Sequence, residues 1–368
     1  MGGGRRLRRP RAREGAGIPV LARLIACPLA IEVGSGAVGA LAALLDDRRI
    51  SSNGQVAVVV GPGQGDAIAD VVRPHLGNAG VHRVEGGTLQ AALDLTEQLR
   101  GGSYDAVVGI GGGRTLDVAK YAAGLVGLPM VSVATNLAHD GIASPVASLE
   151  HDGRKGSYGV HIPIAVVVDL DYVRRSPSEQ LRSGVGDVLS NLSALADWEL
   201  AGRERGEPVD GLAAALSRAG AESLLHRTDD LTSDAFLTSL AEALVLSGLA
   251  MAAAGSSRPC SGACHEISHA IDALYPGRAP HGEQVAVGAL FASFLRGDGQ
   301  RAALDTALER HGVARLPSDL GLSEDEFGAA VARAPSTRPG RFTVLEHLDL
   351  DASEIHERVR EFVSAFDR

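Results

Sequence analysis

The chain has 368 residues, of which 45% are hydrophobic and 22% charged, with a formal net charge of -10 and 46 glycines. This is a soluble globular profile with many tight turns, which excludes a disordered or collagen-like chain, and the length sets a prior of two domains. Net acidity argues against a nucleic-acid partner, which needs clustered Lys and Arg, and an aromatic share of 4% offers no base-stacking platform. Cys27, Cys260 and Cys264 cannot build a disulfide framework and suit a reducing, cytoplasmic location.

The chain opens on Arg5, Arg6, Arg8, Arg9, Arg11 and Arg13, followed by a semi-apolar run from Ile18 to Ile31. An export signal could look like this, but Arg23 interrupts the run and no small-residue cleavage site follows it. Residues 1–20 are therefore expected to be a flexible basic extension. From there to residue 175 strand and helix signals alternate. Ala30 to Val33 reads as a strand, Ala37 to Leu45 as a helix, and Val56 to Val60 as a strand closed by Gly61-Pro62-Gly63. A helix is expected near Asp66 to Leu76, a weaker strand at Val81 to Val84, an amphipathic helix at Ala91 to Arg100, and strands at Ala106 to Val108, Pro129 to Val133 and Ile164 to Val168. Short apolar strands alternating with helices predict an α/β domain with a parallel, Rossmann-like sheet covered on both faces, over residues 21–175.

After Asp171 the pattern turns to long Ala/Leu-rich helical periodicity, predicting an all-α domain over 176–368. Phe236 to Ala254 approaches membrane-spanning length, but it carries Glu242 and leads into a His-rich stretch. It is expected to be a buried core helix, with no stable membrane insertion.

Four segments carry chemistry. Gly109-Ile110-Gly111-Gly112-Gly113-Arg114-Thr115-Leu116-Asp117 follows a strand and opens a helix, whose free N–H groups and positive end suit a pyrophosphate. It follows a late strand and lacks the GxGxxG spacing, so alone it is an ordinary turn more often than a ligand loop. Thr135 to Pro145 (TNLAHDGIASP) follows the next strand, at the carboxyl edge where ligands of open sheets gather, and Asp140 could accept hydrogen bonds from a polyol or ribose. Alone, it is as readily a capped turn.

Ser183 to Asn191 (SGVGDVLSN) places Asp187 at or near a helix start, where by itself it is an N-cap. Finally, Cys264 to His269 (CHEISH) puts His265 and His269 four residues apart on one helix face, with His281 beyond. HExxH is the zinc-protease pattern, with Glu266 as general base, and a plain surface pair is the other common outcome. A protease of that kind does not need the preceding half-chain of strands and Gly-rich loops. Asp187, His265 and His281 together offer one carboxylate and two imidazoles, a set that suits Zn first and Fe second and leaves a position open for substrate oxygen.

Taken together, GIGGGRTLDVAK, HDGIASP, SGVGDVLSN and the His-rich segment resemble the glycerol-1-phosphate dehydrogenases, a branch of the iron-containing alcohol dehydrogenase and dehydroquinate synthase-like superfamily. The resemblance spans about Ala30 to Leu295. It implies that Gly111, Gly112, Gly113, Arg114, Thr115, Asp117, Thr135, Asn136, Ala138 and Ser144 contact NAD or NADP. It further implies that Asp140 and His269 serve substrate and catalysis, and that Asp187, His265 and His281 hold one divalent metal. On that basis the HExxH match is coincidental and Glu266 is no base. Asn191 stands where related iron alcohol dehydrogenases carry a second His, which favours the glycerol-phosphate branch; Ala134 and Asn136 also depart from the usual residues. The implied reaction reduces dihydroxyacetone phosphate, or a similar small phosphorylated ketone, to sn-glycerol 1-phosphate, in a cytoplasmic homo-oligomer. Rival expectations are a dehydroquinate synthase-like lyase or another polyol dehydrogenase, and more distantly a zinc protease. NAD against NADP is not decided by Gly61 to Asp66, where Asp66 is the lone charge.

Overall fold

The computed structural model describes residues 25–72, 74, 76 and 79–367, so the basic extension expected over 1–20 lies outside the described residues. Six parallel strands form the first half: β1 (Ala30–Gly34), β2 (Val56–Val60), β3 (Gly80–Arg83), β4 (Ala106–Gly111), β5 (Met130–Ala134) and β8 (Ala165–Asp169), in the order β1-β8-β5-β4-β2-β3. Between them run α1 (Leu41–Leu45), α2 (Gln64–Val72), α3 (Leu89–Gly101) and α4 (Gly113–Val126). The expected strands and their parallel pairing are therefore present. Where one helix was expected over Ala37 to Leu45, a 3-10 turn at Ala37–Ala40 leads into α1.

The central strands are apolar throughout because both faces are covered. All five residues of β2 are buried, with Val56, Val58 and Val60 in one core cluster and Ala57 and Val59 in the other. The period-two alternation of a strand thus feeds two cores at once. Each valine so buried stabilises the fold by about 1.5–3 kcal/mol before entropy is counted.

An antiparallel hairpin, β6 (Val146–His151) with β7 (Arg154–Gly159), stands apart from the sheet and was not expected. Its turn is Asp152-Gly153, both at positive φ (51° and 72°), the two-residue geometry that matches strand twist.

From Leu170 onward the described residues are helical: α5 (Leu170–Val173), α6 (Ser178–Arg205), α7 (Gly211–Leu225), α8 (Asp234–Ala254), α9 (Ala263–Leu274), α10 (His281–Arg296), α11 (Arg301–Arg310), α12 (Glu324–Arg333), α13 (Val344–Leu348) and α14 (Ala352–Phe366). The apolar α8 is the one segment among them with membrane-spanning length and hydropathy, yet 61% of its most apolar window is buried. Phe236, Leu240, Leu244 and Ala250 are fully covered, as expected for a core helix. One sheet face and the helical half share a continuous apolar core reaching from Ala57 to Phe366.

One expectation is corrected. Asp187 sits well inside α6 rather than at a helix start, because α6 already begins at Ser178. Gly184 and Gly186 lie within the helix and serve close packing. A Cβ on Gly184 would overlap the Leu137 carbonyl, and one on Gly186 would overlap the Gly282 carbonyl.

Candidate active site

The strand order reverses between β2 and β4, since the chain runs outward from β2 to β3 and then crosses back to β4 on the other side. Ligands of open α/β sheets bind in the crevice at the carboxyl ends of such a pair. Gly61 follows β2 there and donates its N–H to Ile110 O at 3.2 Å, and Gly111 ends β4. A Cβ on Gly65 would come within 2.9 Å of the Ile110 carbonyl, so α2 and β4 approach backbone to backbone. Gly112 caps α4 in extended conformation without a side-chain hydrogen bond, leaving the first N–H groups of that helix facing the crevice.

Several of the residues expected to contact the cofactor gather around this point, and others do not. Thr115 is packed under Gly61 and Gly111, and Thr135 N donates to Gly111 O at 3.0 Å. Asn136 Nδ2 lies 2.5 Å from where a Gly112 Cβ would stand, and Asn136 Oδ1 accepts the Ala138 N–H at 3.3 Å. Arg114 is exposed beside Gly87. Asp117 is turned inward instead: Oδ1 pairs with Lys120 Nζ at 2.9 Å and Oδ2 accepts the Ser148 N–H at 3.2 Å. Buried Lys120 also donates to Gly141 O (2.8 Å) and Val146 O (2.6 Å), tying α4 to the loop after β5 and to the hairpin. Ser144 Oγ donates to Val146 O at 3.2 Å, so it belongs to the same knot.

The metal-type set comes together as expected. Asp187 from α6, His265 from α9 and His281 from α10 place one ligand atom each within 4.8 Å of one another. Asp187 Oδ2 accepts the Asp140 N–H at 2.9 Å, and Oδ1 faces both imidazole Nε2 atoms at 3.8 Å. Ser268 gives its proton to Gln284 Oε1 (2.8 Å), so its oxygen accepts from His281 Nδ1 (3.1 Å) and the Nε2 lone pair stays free for a ligand. Burial, with Asp140 alongside, pushes the Asp187 carboxyl well above its usual range. Burial, reinforced by neighbouring imidazoles, pushes His265 and His281 well below theirs. Neutral imidazoles beside a buried carboxylate are the protonation states that a divalent cation uses, and the cation's charge reverses the cost of ionising the acid.

His269 stays outside this set. Its Nε2 accepts from Arg338 Nη2 at 3.1 Å, which fixes the ring proton on Nδ1, and burial lowers its pKa to about 4. Glu266 is fully buried, accepts from Thr343 Oγ1 at 3.2 Å and is pushed up to about 9 by burial. It does not line the cleft, so the zinc-protease arrangement is not formed.

A cleft with about 540 Å³ of open space runs beside the donor set, lined by Asp117, Asp140, Ser144, His265, His269 and His281 among others. Burial raises the Asp140 carboxyl above its usual range. Among the further wall residues to which sequence reading assigned no role are His139, Ser257, Ser261 and Arg338. His139 was visible in the HDG segment. Its Nδ1 accepts the Gly141 N–H at 3.0 Å, so Nε2 carries the proton, at the spot a Gly113 Cβ would occupy. A partner-bearing ring over a helix N-terminus could have been guessed from HDG following GGG, whereas Arg338 lies too far along the chain for any local pattern.

A parallel sheet with a switch-point glycine loop, packed on helices that bring one carboxylate and two imidazoles together, defines a two-part dehydrogenase of the iron-containing type. In keeping with this, residues 32–177 match the family described as iron-containing alcohol dehydrogenase. Among solved structures, the chain is similar to a probable glycerol dehydrogenase from Sinorhizobium meliloti (TM-score 0.76, 21% identity, covering 94% of this chain and 99% of that one). It is also similar to glycerol dehydrogenase from Schizosaccharomyces pombe (TM-score 0.74, 22% identity, 94% and 91%). Among relatives of known name, it is 40% identical over 271 residues to a glycerol-1-phosphate dehydrogenase, NAD(P)+, of Archaeoglobus fulgidus, covering 72% of this chain and 77% of that one. With the enzyme of the same name from Staphylothermus marinus it shares 33% over 343 residues, covering 92% and 97%. The chain belongs to the glycerol-1-phosphate dehydrogenase family.

Proposed function

We propose that the chain is a metal-dependent, NAD(P)-linked dehydrogenase that reduces dihydroxyacetone phosphate to sn-glycerol 1-phosphate. The observation that supports it best is the Asp140 turn, which links the two half-sites: its N–H holds Asp187, and Lys120 ties the same turn to α4. The two halves, residues 21–175 and 176–368, would supply nucleotide and metal separately, and the cleft between them would receive the ketone.

A divalent cation on Asp187, His265 and His281 would supply Lewis acidity toward the carbonyl oxygen, and a set with fewer than four protein donors, two of them imidazole, fits Zn first and Fe second. A bound nicotinamide would supply the hydride, and the N-terminus of α4 with Asn136 and His139 would receive the phosphates of its nucleotide. Asp140 accepts hydrogen bonds from substrate hydroxyls. His269, neutral at physiological pH, orients the substrate through Nδ1–H rather than acting as an imidazolium acid. The enzyme would work in the cytoplasm, as a homo-oligomer, and without membrane insertion.

The test is NAD(P)H oxidation by Zn-loaded protein with dihydroxyacetone phosphate, dihydroxyacetone and glyceraldehyde 3-phosphate. Stoichiometric oxidation with the first, yielding the sn-1 product, is expected. Ketone consumption without net nucleotide oxidation would replace the dehydrogenase by a lyase.

A further inference from the structure

The loop after α12 brings Arg338 and Arg341 into the protein, and burial holds both guanidinium groups below their usual range, Arg341 at about 10. Elsewhere in this chain, well-covered arginines are matched by carboxylates: Arg258 by Glu207, Arg296 by Asp197 at 2.7 Å, and Arg315 by Asp305 at 2.8 Å. Among the described residues no carboxylate lies within 4 Å of either Arg338 or Arg341. Their hydrogen-bond acceptors are all neutral. Arg338 donates from Nη1 to Ser257 Oγ (3.1 Å) and from Nη2 to His269 Nε2 (3.1 Å) and, more weakly, Ser157 Oγ (3.5 Å). Arg341 donates from Nη2 to Ser257 Oγ (3.0 Å) and from Nη1 to the Ser261 carbonyl.

The hydroxyls beside them are donors without an acceptor. Ser257 Oγ already accepts twice, so its O–H is left to give. Ser261 is 3% exposed and lines the cleft, and its Oγ has no hydrogen-bond partner among the described residues. A half-buried cation pair with no carboxylate in contact, next to a buried hydroxyl with no partner, is costly unless an anion completes it.

The spacing fits a particular anion. His265 reaches the metal set and His269 reaches Arg338, and the two are one turn apart on α9, about 6 Å along the helix axis. In a three-carbon ketone phosphate the carbonyl oxygen and the phosphorus are separated by four bonds, a comparable span.

We propose that Arg338, Ser257 and Ser261 form the subsite for the substrate's phosphate, with Arg341 as a positioning residue that holds Ser257 and the Ser261 backbone. The identity of the phosphate's carrier rests on the dehydrogenase function proposed above; the anion subsite itself does not. Arg338 binds through its N–H fork, so a lysine there would keep charge but lose geometry. The subsite thereby selects ketone phosphates over free ketones, which have nothing to offer its donors.

The experiment uses Zn-loaded full-length protein, wild type, Arg338→Met and Ser261→Ala, with metal content and melting temperature checked for each. Inorganic phosphate is titrated calorimetrically, and steady-state reduction of dihydroxyacetone phosphate is followed alongside. Arg338→Met is expected to raise KM by about a hundredfold and Ser261→Ala by about tenfold, the scale of hydrogen bonds to a charged group. kcat should fall less than KM rises, and inorganic phosphate should bind wild type competitively with substrate but not the Arg338 variant. Should Arg338→Met misfold, Ser261→Ala carries the same test through its smaller KM rise and weaker phosphate binding. KM for dihydroxyacetone phosphate and phosphate affinity both within about twofold of wild type in a folded variant would overturn the subsite. Phosphate binding that depends on Arg338 in a protein that does not turn over the ketone would keep the subsite and remove the dehydrogenase assignment instead.

Discussion

Glu266 occupies the first turn of α9 with no exposure, between Thr343, Glu346 and Asp197. Its carboxyl is pushed from 4.5 to about 9, first by burial and then by the Glu346 and Asp197 charges. In the unfolded chain the proton leaves near 4.5, so between that pH and about 9 the folded state holds a proton the unfolded state has lost, and stability falls as pH rises through the window. Glu266→Gln removes the ionisation, and its amide can offer Glu346 Oε1, which has no partner, a donor. The variant should therefore match wild type most closely near pH 5 and exceed it in melting temperature by a margin that grows up to pH 8.5. Thermal melts at both ends of this range check it, and a constant margin would show that Glu266 ionises normally. Ketone reduction should stay within about threefold, whereas a loss near a thousandfold with metal retained would restore Glu266 as a general base. At this scale the sequence told much about identity and less about orientation. Asp187, His265 and His281 were readable from their chemistry as a donor set. That His269 faces Arg338 rather than the metal follows from packing of a distant loop, which HExxH spacing alone does not reveal.

The three helices that carry the donor set touch through glycines, and this fixes the geometry at the level of elements. Gly186 of α6 lies against the Gly282 carbonyl at the start of α10, and Gly288 of α10 lies within 3.0 Å of the Cys264 backbone in α9, measured to its would-be Cβ. Asp187, His281 and His265 are sequence neighbours of Gly186, Gly282 and Cys264, so the closest helix contacts sit beside the ligands. Gly186→Val should push α6 from α10, lower zinc affinity by at least about tenfold and reduce the melting temperature by several degrees. Equilibrium zinc competition with a chromogenic chelator, with melts in parallel, tests this; a variant with unaltered zinc affinity would mean that the donor set does not depend on the contact. The strands were legible because buried parallel strands must be apolar on both faces, as in Val56 to Val60. The hairpin was missed because β7, Arg154–Gly159, has no apolar face to read; its usable signal was Asp152-Gly153.

Across the whole molecule, the crevice proposed for the nucleotide is built from the ends of β2, β4 and β5, and the donor set from α6, α9 and α10, with the Asp140 turn between them. What joins the two halves sits far apart in sequence: Lys155 reaches 117 positions to Asp272, and Asp140 spans 47 to Asp187. Such contacts depend on the closed core shared by sheet and helices, so the sequence showed each half and not their seam. The proposed division of nucleotide and metal between the halves has a consequence for the metal-free enzyme. Removing the cation leaves Asp187 as a buried acid beside two neutral imidazoles, a set the fold already tolerates in uncharged form. Dialysis against dipicolinate should therefore abolish ketone reduction and lower the melting temperature modestly, by the lost binding linkage alone. NADH or NADPH affinity, read by nucleotide fluorescence, should change by no more than about threefold, because α4 and the Gly111 to Gly113 loop take no support from the cation. Added Zn should return activity fully, and Fe(II) under anaerobic conditions should return part of it. If chelation instead removed nucleotide binding, the Asp140 turn would have to relay the metal's loss through Lys120 to α4, and the two half-sites would be one cooperative unit.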